Sequence, residues 1–116
     1  MEVDKMKKEK LLKYTINGNA NLKEALSVIE ENQHRSLIVV DNKNRVIGTL
    51  SDGDVRKVLL RDDLIINRVH NVMNVNFQFI KKGEEKKAKN IFSMKHMFLI
   101  PVIDKNGKLI DVIEAY

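Results

Sequence analysis

The residues of this chain that are best suited to bind a ligand lie in one short stretch, Gly48-Thr49-Leu50-Ser51-Asp52-Gly53-Asp54. Gly48 has no side chain, so a ligand can approach the backbone there. Ser51 precedes a predicted helix, where a hydroxyl and free backbone N–H groups can hold a phosphate at the positive end of the helix dipole. A carboxylate at Asp54 repels phosphate but suits the two neighbouring hydroxyls of a ribose. The pattern therefore assigns Ser51 and Asp54 to different parts of one ligand.

The same stretch also fits the start of a helix that has no ligand. Ser51 or Asp52 is a good N-cap residue, Gly53 favours a turn, and Asp54 complements the helix dipole. The local pattern leaves both interpretations open. The predicted elements around the motif must decide between a ligand site and a plain helix start.

Those elements form an internal repeat with an offset of 63 residues between residues 36–48 (SLIVVDNKNRVIG) and 99–111 (LIPVIDKNGKLID). The identical positions are Val39, Asp41 and Ile47, which recur as Val102, Asp104 and Ile110, and Ala25 recurs upstream as Ala88. In each copy an apolar run, a polar turn and a second apolar run predict a β-hairpin. Because the strands are apolar at nearly every position, helices should cover both faces.

Helical periodicity accompanies each predicted hairpin. The first copy has Asn21 as a capping residue and an apolar face formed by Leu22, Ala25, Leu26 and Ile29. The second copy has Ala88, Ile91 and Phe92 behind Glu84 and Glu85, and another helix should follow Ser51. We expect an α/β (α+β) fold of two pseudo-symmetric repeats, each with the order strand, helix, strand, strand, helix. The second copy ends before its last helix.

The repeat also predicts how the domain is divided. We expect a basic tail at residues 1–10, repeat 1 at 11–61, a connector at 62–76 and repeat 2 at 77–116, all within one domain. The connector should hold a short helical turn near Val69, Val72 and Met73.

With the motif and the repeat together, the sequence resembles a tandem pair of CBS domains, also called a Bateman module. The family's ligand motif is a Gly, two further residues, Ser or Thr, two more residues and an Asp, which this chain matches from Gly48 to Asp54. The stretch GTLSDGDVRKVLL, with Val72-Met73-Asn74, is further similar to the CBS pairs attached to sugar-nucleotide transferases.

The resemblance implies where an adenosine-type nucleotide would bind. It implies Asp54 on the ribose, Ser51 on the phosphate, and the backbone of Thr49 and Leu50 on the base. It also implies contacts from the partner repeat, at the start of its first strand and at the beginning of its second. The full set of implied nucleotide-binding residues is Gly48, Thr49, Leu50, Ser51, Asp52, Asp54, Arg35, Phe77, Gln78, Phe79, Met97, Phe98 and Leu99. Arg35 stands where the family often has a phosphate-binding basic residue, although a surface charge without a ligand explains it equally well. Met97 and Phe98 would pack on the adenine. Core packing explains the aromatic and Met residues equally well.

The second copy departs from the motif, because Asp111 replaces the glycine and Glu114 replaces the Ser51 hydroxyl. An acid at that position repels a phosphate. We expect a single nucleotide site per chain.

Composition excludes several other classes. The chain of 116 residues has no cysteine, and its three histidines lack ligand spacing, so we expect neither disulfides nor a metal site. We predict no catalytic residues, no membrane span and a cytoplasmic protein. The net charge of +5 suits an anionic ligand, but no basic motif interleaved with aromatic residues indicates nucleic-acid binding.

Two functions follow from the resemblance. The first is a regulatory module that senses AMP, ADP, ATP or S-adenosylmethionine as an effector, with no other cofactor, and controls an attached or partner enzyme such as a nucleotidyltransferase. The alternative is a ligand-free interaction module. In the family such pairs commonly form homodimers through their helices, so a homodimer is expected in either case.

Overall fold

The computed structural model describes residues 2–61 and 67–116, with side chains from residue 6 onward. The helices are α1 (Glu2–Tyr14), α2 (Leu22–Asn32), α3 (Asp52–Leu59) and α4 (Ala88–Met94). The strands are β1 (Thr15–Asn17), β2 (Ser36–Val40), β3 (Val46–Ser51), β4 (Ile80–Lys81), β5 (Leu99–Ile103) and β6 (Leu109–Glu114).

The six strands form two three-stranded sheets of the same topology, β1-β2-β3 and β4-β5-β6. In each sheet the first strand is parallel to the second, and the second and third form an antiparallel hairpin. Ser36 pairs with Ser51 in repeat 1, and Leu99 pairs with Glu114 in repeat 2, which is the same register at an offset of 63. The predicted fold class and the order of elements in each repeat are confirmed.

Helix α2 forms where the capping residue and apolar spacing predicted it. The Asn21 side chain accepts a hydrogen bond from the Glu24 N–H at 2.8 Å, which satisfies one of the free donors of the first turn. Leu22, Ala25 and Ile29 are buried against the first sheet. Leu26, which the periodicity placed on the same face, lies at its edge and is 36% exposed.

Repeat 2 departs from repeat 1 at its first strand. We expected this strand to begin at Phe77–Phe79, and that expectation is wrong, because β4 covers only Ile80–Lys81. In repeat 1 the parallel ladder reaches Ile38, whose counterpart is Pro101. Proline has no backbone N–H to donate, so the ladder with β4 starts one residue later, at Val102.

The helix of repeat 2 is also shorter than its counterpart. A 3₁₀ turn at Glu85–Lys87 precedes α4, and no side chain caps α4 at its start. Ala88, Ile91 and Phe92 nevertheless pack together against the second sheet, as predicted.

The basic N-terminal segment differs from the expected tail because it forms most of α1. Its lysines, glutamate, leucines and methionine are good helix formers, so their charge does not prevent a helix. Among residues 6–14, whose side chains are described, the packed ones lie in the last turn, where Tyr14 is buried and Leu11 is half-buried.

The two repeats meet along their hairpins. Val46 N–H donates to the Gly107 carbonyl, and its counterpart Leu109 N–H donates to the Asn44 carbonyl, both at 3.0 Å. Asn44 and Gly107 occupy equivalent turn positions with φ of 63° and 81°, a conformation that glycine and asparagine tolerate best. Ile38, Leu99, Leu109 and Val112 form the core between the sheets.

The described part of the connector, residues 67–76, packs against the core of repeat 1. It contains a 3₁₀ turn at Val69–Asn71, which agrees with the helical turn expected there, and Val69 is buried. The start of the expected connector, residues 62–66, lies outside the described residues.

Candidate functional site

A cavity of about 600 Å³ lies at the junction of the two repeats. Four stretches of chain line it: the start of β2, the end of β3 with the start of α3, the segment before β4, and the segment before β5. The lining residues are Ser36, Leu37, Ile38, Thr49, Leu50, Ser51, Asp54, Val72, Met73, Asn74, Asn76, Phe77, Gln78, Lys95, His96, Met97, Phe98 and Leu99. This volume lies within the range of pockets that hold small organic ligands.

Ser51 and Asp54 are joined by a capping box at the start of α3. The Ser51 hydroxyl oxygen accepts from the Asp54 N–H at 3.1 Å, and Asp54 Oδ2 accepts from the Ser51 N–H at 3.0 Å. Both side chains line the cavity while they cap the helix. Their capping role therefore does not exclude a ligand, because the Ser51 O–H proton is still available to donate. Asp54 Oδ1 likewise has no partner within the described part of the chain.

Gly48 does not line the cavity, and the structure gives a different reason for its lack of a side chain. An added Cβ would lie 2.6 Å from Met73 Sδ and 3.0 Å from the Asn74 carbonyl oxygen. The group that approaches Gly48 is therefore the connector of the same chain and not a ligand.

The connector also occupies the backbone of Thr49. The Thr49 N–H donates to the Asn74 carbonyl at 3.1 Å, and the Asn74 N–H donates to the Thr49 carbonyl at 2.7 Å. The Thr49 N–H is therefore already used within the chain, whereas the Thr49 carbonyl oxygen keeps a second lone pair, and use of this backbone by a base stays a prediction.

The charges around the cavity are of both signs. Within the described part of the chain, Asp54 is the only acidic residue and Lys95 the only lysine or arginine that lines it. Lys95 and His96 were not among the predicted residues, although they directly precede Met97. They could have been predicted from their position just before β5, because a lysine there can face the same cavity as Phe98.

Nine of the thirteen predicted residues line the cavity: Thr49, Leu50, Ser51, Asp54, Phe77, Gln78, Met97, Phe98 and Leu99. Gly48, Asp52, Arg35 and Phe79 do not. Asp52 instead forms an ion pair with Arg56 at 3.5 Å on the exposed side of α3.

Arg35 contacts a residue of the cavity wall. Its guanidinium carbon lies 5.6 Å from the centre of the Phe98 ring, and Phe98 lines the cavity. The Arg35 carbonyl also accepts from the Asp52 N–H at 2.9 Å, at a residue with a left-handed φ of 61°.

The pseudo-symmetric counterpart of the cavity is filled by side chains, and we call it the second cleft. The side chains that fill it are those of Lys10, Tyr14, His34, Glu114 and Tyr116. Glu114 is the counterpart of Ser51, and His34 that of Met97. Since Ile16 pairs with Val39 as Ile80 pairs with Val102, Tyr14 is the counterpart of Gln78.

Hydrogen bonds, an ion pair and a ring stack hold the second cleft together. The Tyr14 hydroxyl donates to Glu114 Oε2 at 3.2 Å, and Lys10 Nζ lies 2.9 Å from Glu114 Oε1. The rings of His34 and Tyr116 stack with centres 4.6 Å apart, and His34 Nε2 lies 2.7 Å from the Tyr116 backbone oxygen.

These contacts shift the acid–base properties of the groups in the second cleft. Burial and then the nearby Glu114 carboxylate raise the pKa of Tyr14 to about 12. Burial opposes ionisation of Glu114, but hydrogen bonds and charge from Lys10 and Tyr14 outweigh it and lower its pKa. Burial also opposes the charge of Lys10, yet Glu114 and Asp111 together raise its pKa.

Neither a metal site nor a membrane span is found in residues 2–61 and 67–116. No three His, Asp or Glu side chains are grouped so that they could share a metal ion. No helix there has both the length and the apolar character needed to cross a bilayer.

The model of the CBS-domain family matches residues 4–61 of the sequence. Two curated proteins match most of the chain. One is an uncharacterised 17.7 kDa protein of Acidianus ambivalens, 28% identical over 86% of this chain and 61% of its own length. The other is a homoserine O-acetyltransferase of Methanococcus vannielii, 31% identical over 87% of this chain and 21% of its own. The chain thus spans less than two thirds of either relative.

Solved structures of similar fold include two with nucleotides. The protein CBSX2 in complex with AMP has a TM-score of 0.69 at 20% identity, covering 88% of this chain and 81% of its own. The cytosolic domain of the Mg²⁺ channel MgtE in complex with ATP has a TM-score of 0.69 at 21% identity, covering 88% and 42%. At these identities the likeness concerns the fold.

Proposed function

Because this chain belongs to the CBS-domain family, we propose that it is a regulatory module that senses an adenosine-type nucleotide in the cavity between its repeats. The observation that carries the proposal is the pairing of Ser51 and Asp54 at the rim of a cavity of about 600 Å³ that Met97 and Phe98 also line. Similar folds that hold AMP and ATP support the choice of an adenine nucleotide over other ligands.

Each part of the nucleotide has a suitable partner in the cavity. Asp54 Oδ1 accepts from the ribose hydroxyls, because Oδ2 is already used by the Ser51 N–H. Met97 and Phe98 supply apolar contact for the base, and the Arg35 guanidinium lies over the Phe98 ring. The phosphate binds near the Ser51 hydroxyl, and Lys95 supplies the positive charge that the family resemblance assigned to Arg35.

The module acts by shifting a population between two arrangements of its repeats. A ligand that contacts both repeats at once favours the arrangement that places them correctly. An attached or partner enzyme, such as a nucleotidyltransferase, responds to that shift, and the module itself has no catalytic role. We place the protein in the cytoplasm, where adenine nucleotides and S-adenosylmethionine are abundant.

The test compares Asp54→Asn with Asp52→Asn in thermal unfolding with AMP, ADP, ATP and S-adenosylmethionine. An asparagine oxygen at position 54 can still accept from the Ser51 N–H, so the unliganded protein should keep its stability. A ligand at 100 times its dissociation constant stabilises the wild-type chain by about 2.7 kcal/mol. We expect Asp54→Asn to weaken binding about tenfold or more, since it replaces a charged acceptor.

Asp52→Asn is the matched control. It removes the same charge from the residue next to Ser51, but Asp52 does not line the cavity. Its affinity should stay within about twofold of wild type. If none of the four nucleotides raises the unfolding temperature of the wild-type chain, the proposal is wrong.

A second function, dimerisation without a ligand, is favoured by apolar side chains that the helices leave exposed. Leu59 and Leu60 at the end of α3 and Met94 at the end of α4 are all more than half exposed. We propose that these helix ends meet a second copy of the chain. Leu60→Glu should shift the sedimentation coefficient from dimer to monomer, whereas a wild-type monomer at high concentration would rule this function out.

A further inference from the structure

Helix α1 is attached to the rest of the molecule mainly at its C-terminal end. Lys7, Lys8 and Glu9 are exposed, and Leu12 is 74% exposed. Tyr14 is only 2% exposed and packs in the core between the two sheets. The contacts that anchor α1 to repeat 2 are therefore those of Lys10 and Tyr14 in the second cleft.

We propose that the last turn of α1 is the built-in occupant of the second cleft, and that it can detach from the cleft while both sheets stay folded. The chain would then hold its own side chains at the position where the first cavity is open to a ligand. This inference concerns the cleft that has no motif, and it does not depend on the nucleotide proposed for the first cavity.

The chemistry of the second cleft matches α1 and not an anionic ligand. Glu114 stands where the first repeat has the Ser51 hydroxyl, and Asp111 stands where it has Gly48. A phosphate would meet two carboxylates there. The Lys10 ammonium lies 2.9 Å from Glu114 and 3.4 Å from Asp111, so it supplies the opposite charge to both.

The Tyr14 hydroxyl completes the arrangement. It donates to Glu114 Oε2 at 3.2 Å and lies 3.4 Å from His34 Nδ1. In the first cavity the counterpart of Tyr14 is Gln78, which is exposed and lines the open space. The difference between a filled and an open cleft therefore follows from this position together with Glu114.

Apart from the buried Tyr14 ring, the side-chain contacts that hold α1 to repeat 2 are weak. The side chains of Lys10, Asp111 and Glu114 are each about one-third exposed, and ion pairs with that much solvent contact contribute little to stability. The sheets are held instead by buried strands and by the exchanged backbone hydrogen bonds of the hairpins. Local opening of α1 therefore leaves most buried contacts between the repeats in place.

The test is hydrogen exchange of the ligand-free full chain, followed by mass spectrometry. Glu114→Gln and Tyr14→Phe each remove the charged hydrogen bond between β6 and α1. We expect exchange at residues 10–14 to become about tenfold faster in each variant, the factor that a hydrogen bond to a charged group contributes. Exchange in β2 should be unchanged, because the sheet stays folded.

Lys8→Gln is the control, since Lys8 is exposed on the same helix and has no ion-pair partner among the described residues. It should leave the exchange of α1 unchanged. The proposal fails if Glu114→Gln and Tyr14→Phe leave α1 as protected as in wild type, or if Lys8→Gln has the same effect as they do. It also fails if α1 and β2 exchange at one common rate in every variant, because α1 would then open only with the whole fold.

Discussion

Ser51 and Asp54 cap α3 and line the cavity, so a substitution at either residue changes helix stability and the cavity wall together. Ser51→Ala would remove the acceptor for the Asp54 N–H, which costs about 1 kcal/mol at a helix N-cap. A loss of ligand binding in that variant would be difficult to assign to one cause. Asp54→Asn separates the two roles, because the amide oxygen keeps the hydrogen bond to the Ser51 N–H.

Gly48 provides a prediction about the fold that is independent of any ligand. Gly48→Ala would place a methyl group 2.8 Å from Met73 Cγ and 3.0 Å from the Asn74 backbone oxygen. Met73 can move, but Asn74 is paired with Thr49 and cannot move without losing hydrogen bonds. We expect a loss of about 1–3 kcal/mol in the free energy of unfolding, measured by urea denaturation.

Gly53→Ala is the matched comparison within the same motif. Its added Cβ would have only the Ser51 hydroxyl oxygen nearby, at 3.6 Å, which is an ordinary contact. Because alanine favours the helix interior over glycine, this variant should gain about 0.5–1 kcal/mol. Equal effects of the two substitutions would contradict the close approach of the connector to Gly48.

Ser51 and Asp54 could be predicted from the motif because their types and spacing are local features: a helix N-cap, and an acid in the first turn that follows it. The role of Gly48 could not be deduced in the same way. The connector that covers it lies 25 residues away in sequence at Met73, and no local pattern reveals a contact of that kind. Lys95 was missed because the segment predicted to face the cavity from the second repeat began at Met97, two residues too late.

At the scale of elements, strands and helices with strong apolar periodicity were the most predictable. The hairpins of both repeats and helix α2 lie where the apolar runs and Asn21 placed them. The start of β4 was not predictable from the repeat alone. It depends on Pro101, a residue of another strand, because of which the parallel ladder starts one residue later than in repeat 1.

Helix α1 provides a prediction about pH, through Tyr14. The chain has two tyrosines, and a tyrosinate absorbance titration should contain one step near the Tyr14 pKa of about 12. Because the folded pKa is above the ordinary value of 10.0, the stability from Tyr14 is present below pH 10 and is lost between about pH 10 and 12.

Tyr14→Phe should remove this high-pH step from the titration. It should also flatten the loss of stability above pH 10, after correction for Lys10, whose raised pKa acts in the same direction. A wild-type titration without any step above pH 11 would contradict the buried position of Tyr14 beside Glu114.

Glu114 acts at the other end of the pH scale. Its lowered pKa means that its contribution is present above its ordinary value of 4.5 and is lost as the pH falls through the folded value. Lys10 and Tyr14 contact this carboxylate, and Asp111 and His34 in turn contact Lys10 and Tyr14. The difference in unfolding free energy between wild type and Glu114→Gln should therefore shrink as the pH falls below about 4.5.

At the scale of the whole molecule, two repeats of one topology give two clefts of different character. The first cleft is open and has Ser51, whereas the second is filled and has Glu114. Titration calorimetry with AMP should therefore give no more than one nucleotide per chain. Two equivalents of AMP would mean that α1 and Glu114 do not close the second cleft.

The exchanged hydrogen bonds between the hairpins have a consequence for how such a chain is organised. The Val46 N–H donates to Gly107, and the equivalent Leu109 N–H donates to Asn44, so the two repeats contact each other through the same surface. Contacts of this kind are isologous, as in a two-fold homodimer. The tandem chain is in effect a homodimer of single repeats joined covalently. Joining the halves in one chain lets each diverge separately, and an identical pair of subunits could not keep one cleft open while filling the other.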